Sequence, residues 1–182
     1  DFPATVTRIE KLTPTIKGIF ITLDEAIHFQ AGQYINLEIP GLGISRAFSL
    51  ANAPGQGREV ELNVRIVPGG AGTGYLLEEL SVGDRLNLSG PYGRFFVRKS
   101  AGVPLIFMAG GSGLSSPRSM ILDLLGEGCE LPITLVYGQR NRAELYYHDE
   151  FLALAERHPN FRYVPALSDE AADSDWQGFR GF

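Results

Sequence analysis

Val103-Pro104-Leu105-Ile106-Phe107-Met108-Ala109-Gly110-Gly111-Ser112-Gly113-Leu114-Ser115-Ser116-Pro117 is the stretch that decides the fold, because its texture changes twice. Val103 to Ala109 is a continuous apolar run, as expected of a parallel strand covered on both faces. A glycine and serine turn follows, and Pro117 suits the first turn of a helix, where its missing N–H costs nothing. The pattern then repeats: a helix to about Leu125, a second buried run from Leu131 to Tyr137, a helix from Glu144 to Arg157 and a strand from Phe161 to Leu167. Strand, helix, strand, helix, strand is a parallel α/β unit. The turn Gly111-Ser112-Gly113-Leu114-Ser115-Ser116 matches two of the three glycines of a dinucleotide fingerprint, a weak signal alone that its place between strand and helix strengthens. The acidic residue that usually closes the second strand is absent, and Tyr137-Gly138-Gln139-Arg140 stands there instead. Arg140 and Arg142 would suit a 2′-phosphate, although two arginines in a loop are more often solvated.

Upstream, from Ala4 to about Val97, the period is that of strands: Thr5 to Leu12, Ile16 to Leu23, Tyr34 to Ile39, Arg46 to Leu50, Glu59 to Val67 and Arg85 to Ser89. Leu62, Val64 and Ile66 alternate with Glu61, Asn63 and Arg65, the pattern of a strand with one wet face. Asn52-Ala53-Pro54-Gly55 and Val82-Gly83-Asp84-Arg85 are turn chemistry. Six such strands and one helix predict an antiparallel barrel, closed to remove its edges. The change of texture at Arg98-Lys99-Ser100-Ala101-Gly102 divides the chain into a barrel domain, residues 1–100, and an α/β nucleotide-binding domain, residues 101–182.

Within the barrel, Arg46-Ala47-Phe48-Ser49 and the later run Gly69-Gly70-Ala71-Gly72-Thr73-Gly74 offer what a flavin with a phosphate tail requires. Arg46 can grip a phosphate through two parallel N–H bonds. Phe48, two residues on, points to the same side of an extended strand and can lay its ring against an isoalloxazine. Ser49 both donates and accepts, which suits N5 of a flavin in either oxidation state. Parity puts Ser49 opposite Phe48, so the flavin has to lie across the strand end or a bend. Thr73 to Leu80 carries apolar residues at helical spacing, and a helix start behind Gly70 to Thr73 presents unpaired amides to a pyrophosphate. Val64 and Arg65 complete the cofactor-binding set, with Gly111, Gly113, Ser115 and Ser116 at the nucleotide end, and Ser49 is the candidate catalytic residue. Taken singly, the same residues also read as a surface arginine, a core phenylalanine and a hairpin loop.

The bulk properties narrow the field. A chain of 182 residues, 44% hydrophobic, can bury a real core. With a net charge of −5 and no Lys/Arg-rich run it lacks a nucleic-acid footprint. Mean hydropathy near zero and no apolar run approaching 18 residues argue against a membrane span, and Asp1-Phe2-Pro3 does not resemble a signal peptide, so a cytoplasmic protein is expected. Cys129 is solitary and reads as incidental. His28, His148 and His158 lack metal-site spacing, and one cysteine cannot hold an iron–sulfur cluster.

Five segments in order, Gly32-Gln33-Tyr34, Arg46-Ala47-Phe48-Ser49, Gly70-Ala71-Gly72-Thr73, Gly90-Pro91-Tyr92-Gly93 and Gly110-Gly111-Ser112-Gly113-Leu114-Ser115-Ser116-Pro117, together resemble the ferredoxin–NADP reductase superfamily. Within it the likeness is to the reductase components of multicomponent phenol and aromatic-ring hydroxylases. The resemblance implies that Arg46 binds the flavin phosphate, that the residue at Phe48 stacks on the ring and that Ser49 lies near N5. The family's usual aromatic is tyrosine, so Phe48 keeps the stack and lacks a hydroxyl for the ribityl chain. It further implies FAD over FMN, NADH over NADPH, and single electrons passed through a plant-type [2Fe–2S] domain absent from this chain to an oxygenase. A later Cys-Gly-Pro motif of the family is missing beyond Asp175 to Phe182, which implies a fragment with an intact flavin domain and an incomplete nucleotide domain. A stand-alone ferredoxin or flavin reductase, and a non-catalytic flavin-binding module, stay open as alternatives.

Overall fold

The computed structural model describes residues 1–67 and 69–181; Pro68, Phe182 and the side chain of Leu77 lie outside the described residues, and with them the ends of the glycine-run approach and of the 101–182 segment. Ten strands form two sheets. β1 (Phe2–Lys11), β2 (Ile16–Leu23), β3 (Tyr34–Ile39), β4 (Ile44–Ser49), β5 (Glu59–Arg65) and β6 (Arg85–Tyr92) make an antiparallel sheet in the order β4-β3-β6-β1-β2-β5. An antiparallel bridge between Leu50 and Leu62 links the two edge strands, so the sheet curls into a barrel around Ile19, Ile21, Ile35, Leu37, Leu62 and Val64. Burying both edges' hydrogen-bonding groups this way is what relieves the cost of open strands. Between β5 and β6, α1 (Ala71–Gly74) continues as a π-helical turn over Tyr75–Glu79, two residues ahead of the expected helix start.

The second sheet is parallel, in the order β10-β9-β8-β7, with β7 (Leu105–Gly110), β8 (Ile133–Gln139), β9 (Phe161–Leu167) and β10 (Phe179–Arg180). α2 (Ser115–Gly126) and α3 (His148–Arg157) lie on one face, where Phe107, Ile133, Leu135, Tyr137 and Phe161 meet Met120, Ile121, Leu124, Phe151 and Leu154.

Four expectations change. β7 is not covered on both faces: Ile106 and Met108 are 71% and 79% exposed, because both helices pack on the Phe107 side. The helix read from Glu144 is interrupted by a 3-10 turn over Arg142–Glu144 and by Tyr147, whose φ of 58° is left-handed, and α3 starts only at His148. Asp175 to Arg180 does not merely precede a strand, since Phe179 and Arg180 pair in parallel with Ala166 and Leu167. The supposed wet face of β5 is buried: Glu61 and Asn63 are 6% and 8% exposed.

The halves touch closely at Gly32, where φ is 103° and an added Cβ would fall 1.9 Å from the Phe95 carbonyl oxygen and 2.4 Å from the Met120 methyl. Gly32→Ala combines left-handed strain with a backbone clash and is expected to destabilise the fold by about 2 kcal/mol or more. The shift of the urea midpoint at constant slope checks this.

Candidate functional site

β4 ends at Ser49, and the next residue, Leu50, turns into the barrel core. Ala47, Phe48 and Ser49, three successive residues at the end of β4, line one cleft of about 310 Å³. Its other walls come from Asn63 and Arg65 of β5, Thr73 of α1, and Gly113, Ser115 and Ser116 of the glycine turn. Residues that the sequence separates by more than sixty positions, and by a change of sheet, therefore face a common space. Phe48 is half-buried, with one side against the barrel core and the other in the cleft.

Arg46 is exposed beside this cleft, donating one N–H to the Ser45 carbonyl at 3.0 Å. Its aliphatic stem lies over the glycine run: a Cβ at Gly72 would sit 3.0 Å from Arg46 Cγ, and one at Gly70 would sit 2.6 Å from Thr73 Oγ1. At Gly70 and Gly72 the run is thus tight enough to favour bare backbone, while Gly69 and Gly74 face open space, and Ala71 opens the first helical turn. α1 is too short for a substantial macrodipole, so what it offers an anion is local amides. A guanidinium over unencumbered backbone, next to an aromatic face and a hydroxyl, fits a flavin with a phosphate tail. Val64 is fully buried in the barrel core, so only its main chain can face a ligand.

Arg65 also lines a second, larger cleft of about 680 Å³, at the carboxyl ends of the parallel strands, with Gly110, Gly111, Gly138, Gln139 and Ser168. Open α/β sheets bind ligands in this crevice. Gly111 is held there by its carbonyl, which accepts from Gln139 Nε2 at 2.8 Å and from the Tyr146 hydroxyl at 3.1 Å. Burial pushes the Tyr146 phenol up to about 12, which keeps it a donor at neutral pH. Arg140 and Arg142, at the rim, are paired with Asp169 at 3.0 Å and Asp175 at 2.9 Å.

Under the first cleft runs a polar network that the sequence reading missed. Ser115 Oγ donates to Asn63 Oδ1 at 2.9 Å, Asn63 Nδ2 donates to the Tyr147 hydroxyl at 2.8 Å, and that hydroxyl donates to Glu61 Oε1. Burial, and then the charge of Glu61, hold the Tyr147 phenol well above the ordinary tyrosine range. Glu61 Oε2 in turn accepts from Arg118 Nη1 at 2.9 Å. A signal was available: Arg118 falls on the stripe Leu114, Ile121, Leu125 at helical spacing, and a charge on an apolar stripe implies a buried partner.

Residues 3–97 match the oxidoreductase FAD-binding domain family and residues 107–182 the oxidoreductase NAD-binding domain family. Over all 182 residues the chain is 59% identical to the phenol 2-monooxygenase reductase component DmpP of Pseudomonas sp. (strain CF600), and 54% identical to the phenol hydroxylase P5 protein of Acinetobacter pittii (strain PHEA-2). It covers 52% of each, so the chain spans about half the length of these curated relatives. Among solved structures, the Amycolatopsis cytochrome P450 reductase GcoB superposes with a TM-score of 0.91 at 36% identity, over 100% of this chain and 55% of that one.

Because Arg46 is exposed, water would screen any phosphate bound by it. Arg46→Ala is expected to weaken FAD binding by about 1–2 kcal/mol, roughly 5- to 30-fold. Fluorescence titration of FAD against the two proteins checks it; equal dissociation constants would leave Arg46 a surface residue.

Proposed function

The chain belongs to the family of oxidoreductases built from an FAD-binding and an NAD-binding domain, and we propose that it takes a hydride from NADH onto FAD for delivery to an oxygenase such as phenol hydroxylase. FAD supplies the chemistry that joins the two ends, since it accepts two electrons together and releases them singly. NADH would leave as NAD⁺, and the electrons would go on to a [2Fe–2S] centre, for which the single cysteine of these 182 residues cannot supply the ligands. The flavin domain is residues 1–100 and the nucleotide domain 101–182.

The observation that carries the reading is the shared cleft, in which Phe48 and Ser49 from the barrel face Gly113, Ser115 and Ser116 from the α/β half. Arg46 anchors phosphate charge, with Ala71, Gly72 and Thr73 supplying backbone amides beneath it, while the Gly70 N–H closes the preceding turn on the Val67 carbonyl at 3.0 Å. Phe48 supports the ring from the barrel side, and Ala47 keeps that wall low. Ser49 presents a hydroxyl that donates to or accepts from N5 as required. Arg65, with the main chain of Val64, holds the border with the strand-end crevice, where Gly111 to Ser116 receive NADH. NADH is favoured over NADPH from the family resemblance; Arg140 and Arg142 form exposed pairs with Asp169 and Asp175, which are too weak to decide between the two. Among the described residues no helix is long and apolar enough to cross a membrane, and a cytoplasmic location, where NADH is supplied, completes the proposal.

Ser49→Ala removes one hydrogen bond at the reacting edge and leaves the phosphate contacts intact. Flavin reduction by NADH, followed by anaerobic stopped-flow bleaching, is expected to slow by about 10-fold, with FAD affinity changed by less than about threefold. A full-length protein whose flavin NADH does not bleach, or that cannot reduce an oxygenase component, would overturn the proposal.

A further inference from the structure

We propose that Arg118 is a positioning residue, whose buried guanidinium sets the flavin strand against the nucleotide turn and so governs the rate at which NADH reduces the protein. The inference rests on the hydride-transfer reading above.

Arg118 is 8% exposed, and its guanidinium makes four hydrogen bonds and one ring contact. Nη1 donates to the Ala51 carbonyl at 2.7 Å and to Glu61 Oε2 at 2.9 Å, both on the barrel. Nε and Nη2 grip Glu150 of α3 at 2.7 and 2.9 Å. The Tyr147 ring lies 4.0 Å beneath the guanidinium carbon. One planar group therefore binds two carboxylates, a carbonyl and a ring drawn from both halves. Burial by itself would lower the Arg118 pKa, but the Glu150 hydrogen bonds and the Glu61 charge outweigh it and hold the group above its ordinary value.

Apolar contacts across the halves, such as Ile16 and Ala31 against the α/β core, are non-directional and fix no angle. A guanidinium fork does fix one, because its donors are coplanar and each has a single acceptor direction. The network also reaches the cleft. Glu61 is tied through Tyr147 and Asn63 to Ser115, and Asn63 and Ser115 both line the cleft holding Phe48 and Ser49. Ser115 and Arg118 sit one turn apart on α2, and the adjacent Ser119 donates to the Asn52 carbonyl at 2.7 Å. Tilting α2 about this lock would move Ser115 relative to Ser49. Hydride transfer tolerates little of that: donor and acceptor atoms must lie about 3–3.5 Å apart, and misplacement on the order of 1 Å costs about a hundredfold.

The test is made in the full-length protein with Arg118→Lys, which keeps the charge and loses the fork, and with Tyr147→Phe, which keeps the guanidinium and cuts only the link to Glu61 and Asn63. The limiting rate of flavin reduction at saturating NADH is expected to fall at least about tenfold in Arg118→Lys and by a smaller factor in Tyr147→Phe, with FAD and NADH dissociation constants held within about threefold. Amide exchange is expected to quicken at residues 50–53 and 113–119 and to stay unchanged in the barrel core at Tyr34–Ile39. An unchanged limiting rate in flavin-bound Arg118→Lys would overturn the inference. So would a loss matched by an equal loss of FAD affinity, or by faster exchange throughout, since either marks a merely structural residue. Failure of the wild type to accept a hydride from NADH would count against the hydride-transfer reading, and the exchange pattern would still decide whether Arg118 orients the two halves.

Discussion

A guanidinium buried to the depth of Arg118 must be matched in charge and in hydrogen-bond direction, and the two halves of this molecule are joined where that match is made. Glu61 supplies one carboxylate from the middle of a barrel strand and Glu150 the other from the first turn of α3. Removing the arginine would leave Glu61 buried without a counter-charge, at a cost of roughly 3–5 kcal/mol. The second carboxylate is partly open to solvent, so water screens the charge that one guanidinium leaves over. The lock also explains the left-handed backbone at Tyr147: the strain places its ring under the guanidinium and its hydroxyl on Glu61.

From that lock the cleft follows. Each half builds its own apolar core, one from alternating barrel strands and one from a single helix-covered sheet face. Neither half forms this cleft alone, because Ser49 and Phe48 stand on one side of it and Ser115 and Ser116 on the other. The protein's part in the proposed reaction is to bind, orient and exclude water around groups whose chemistry belongs to FAD and NADH. The bare face of β7, with Ile106 and Met108 exposed beside the strand-end crevice, belongs to a sheet seen over only part of the length that the relatives have.

Most of the fold was legible in the residues. Alternation placed five of the barrel strands within a few residues of their bounds, since one face of each is apolar, and Ile16–Leu23 and Tyr34–Ile39 coincide with the expectation. β6 runs on past Ser89, where the expected strand ended, through Gly90 and Pro91 to Tyr92, because Tyr92 pairs with Tyr34. What periodicity cannot report is what covers an element from elsewhere. Glu61 and Asn63 have the pattern of a solvated face, and a helix some sixty residues later buries them. Ile106 and Met108 have the pattern of a covered face and are open. Of the candidate residues, Ala47, Phe48, Ser49, Arg65, Thr73, Gly113, Ser115 and Ser116 line one cleft, while Gly111 lines the other and Arg46 lies outside both. Arg118 and Tyr147 went unread because their partners lie on another sheet.

A crystal structure of the protein grown with FAD is the most direct test that the two halves form one flavin site. The account expects the ring against Phe48 with its N5 edge at Ser49, the phosphates between Arg46 and Gly70 to Thr73, and Ser115 still bonded to Asn63. A flavin seated away from Ser49, or phosphates bound without Arg46 and the glycine run, would contradict it.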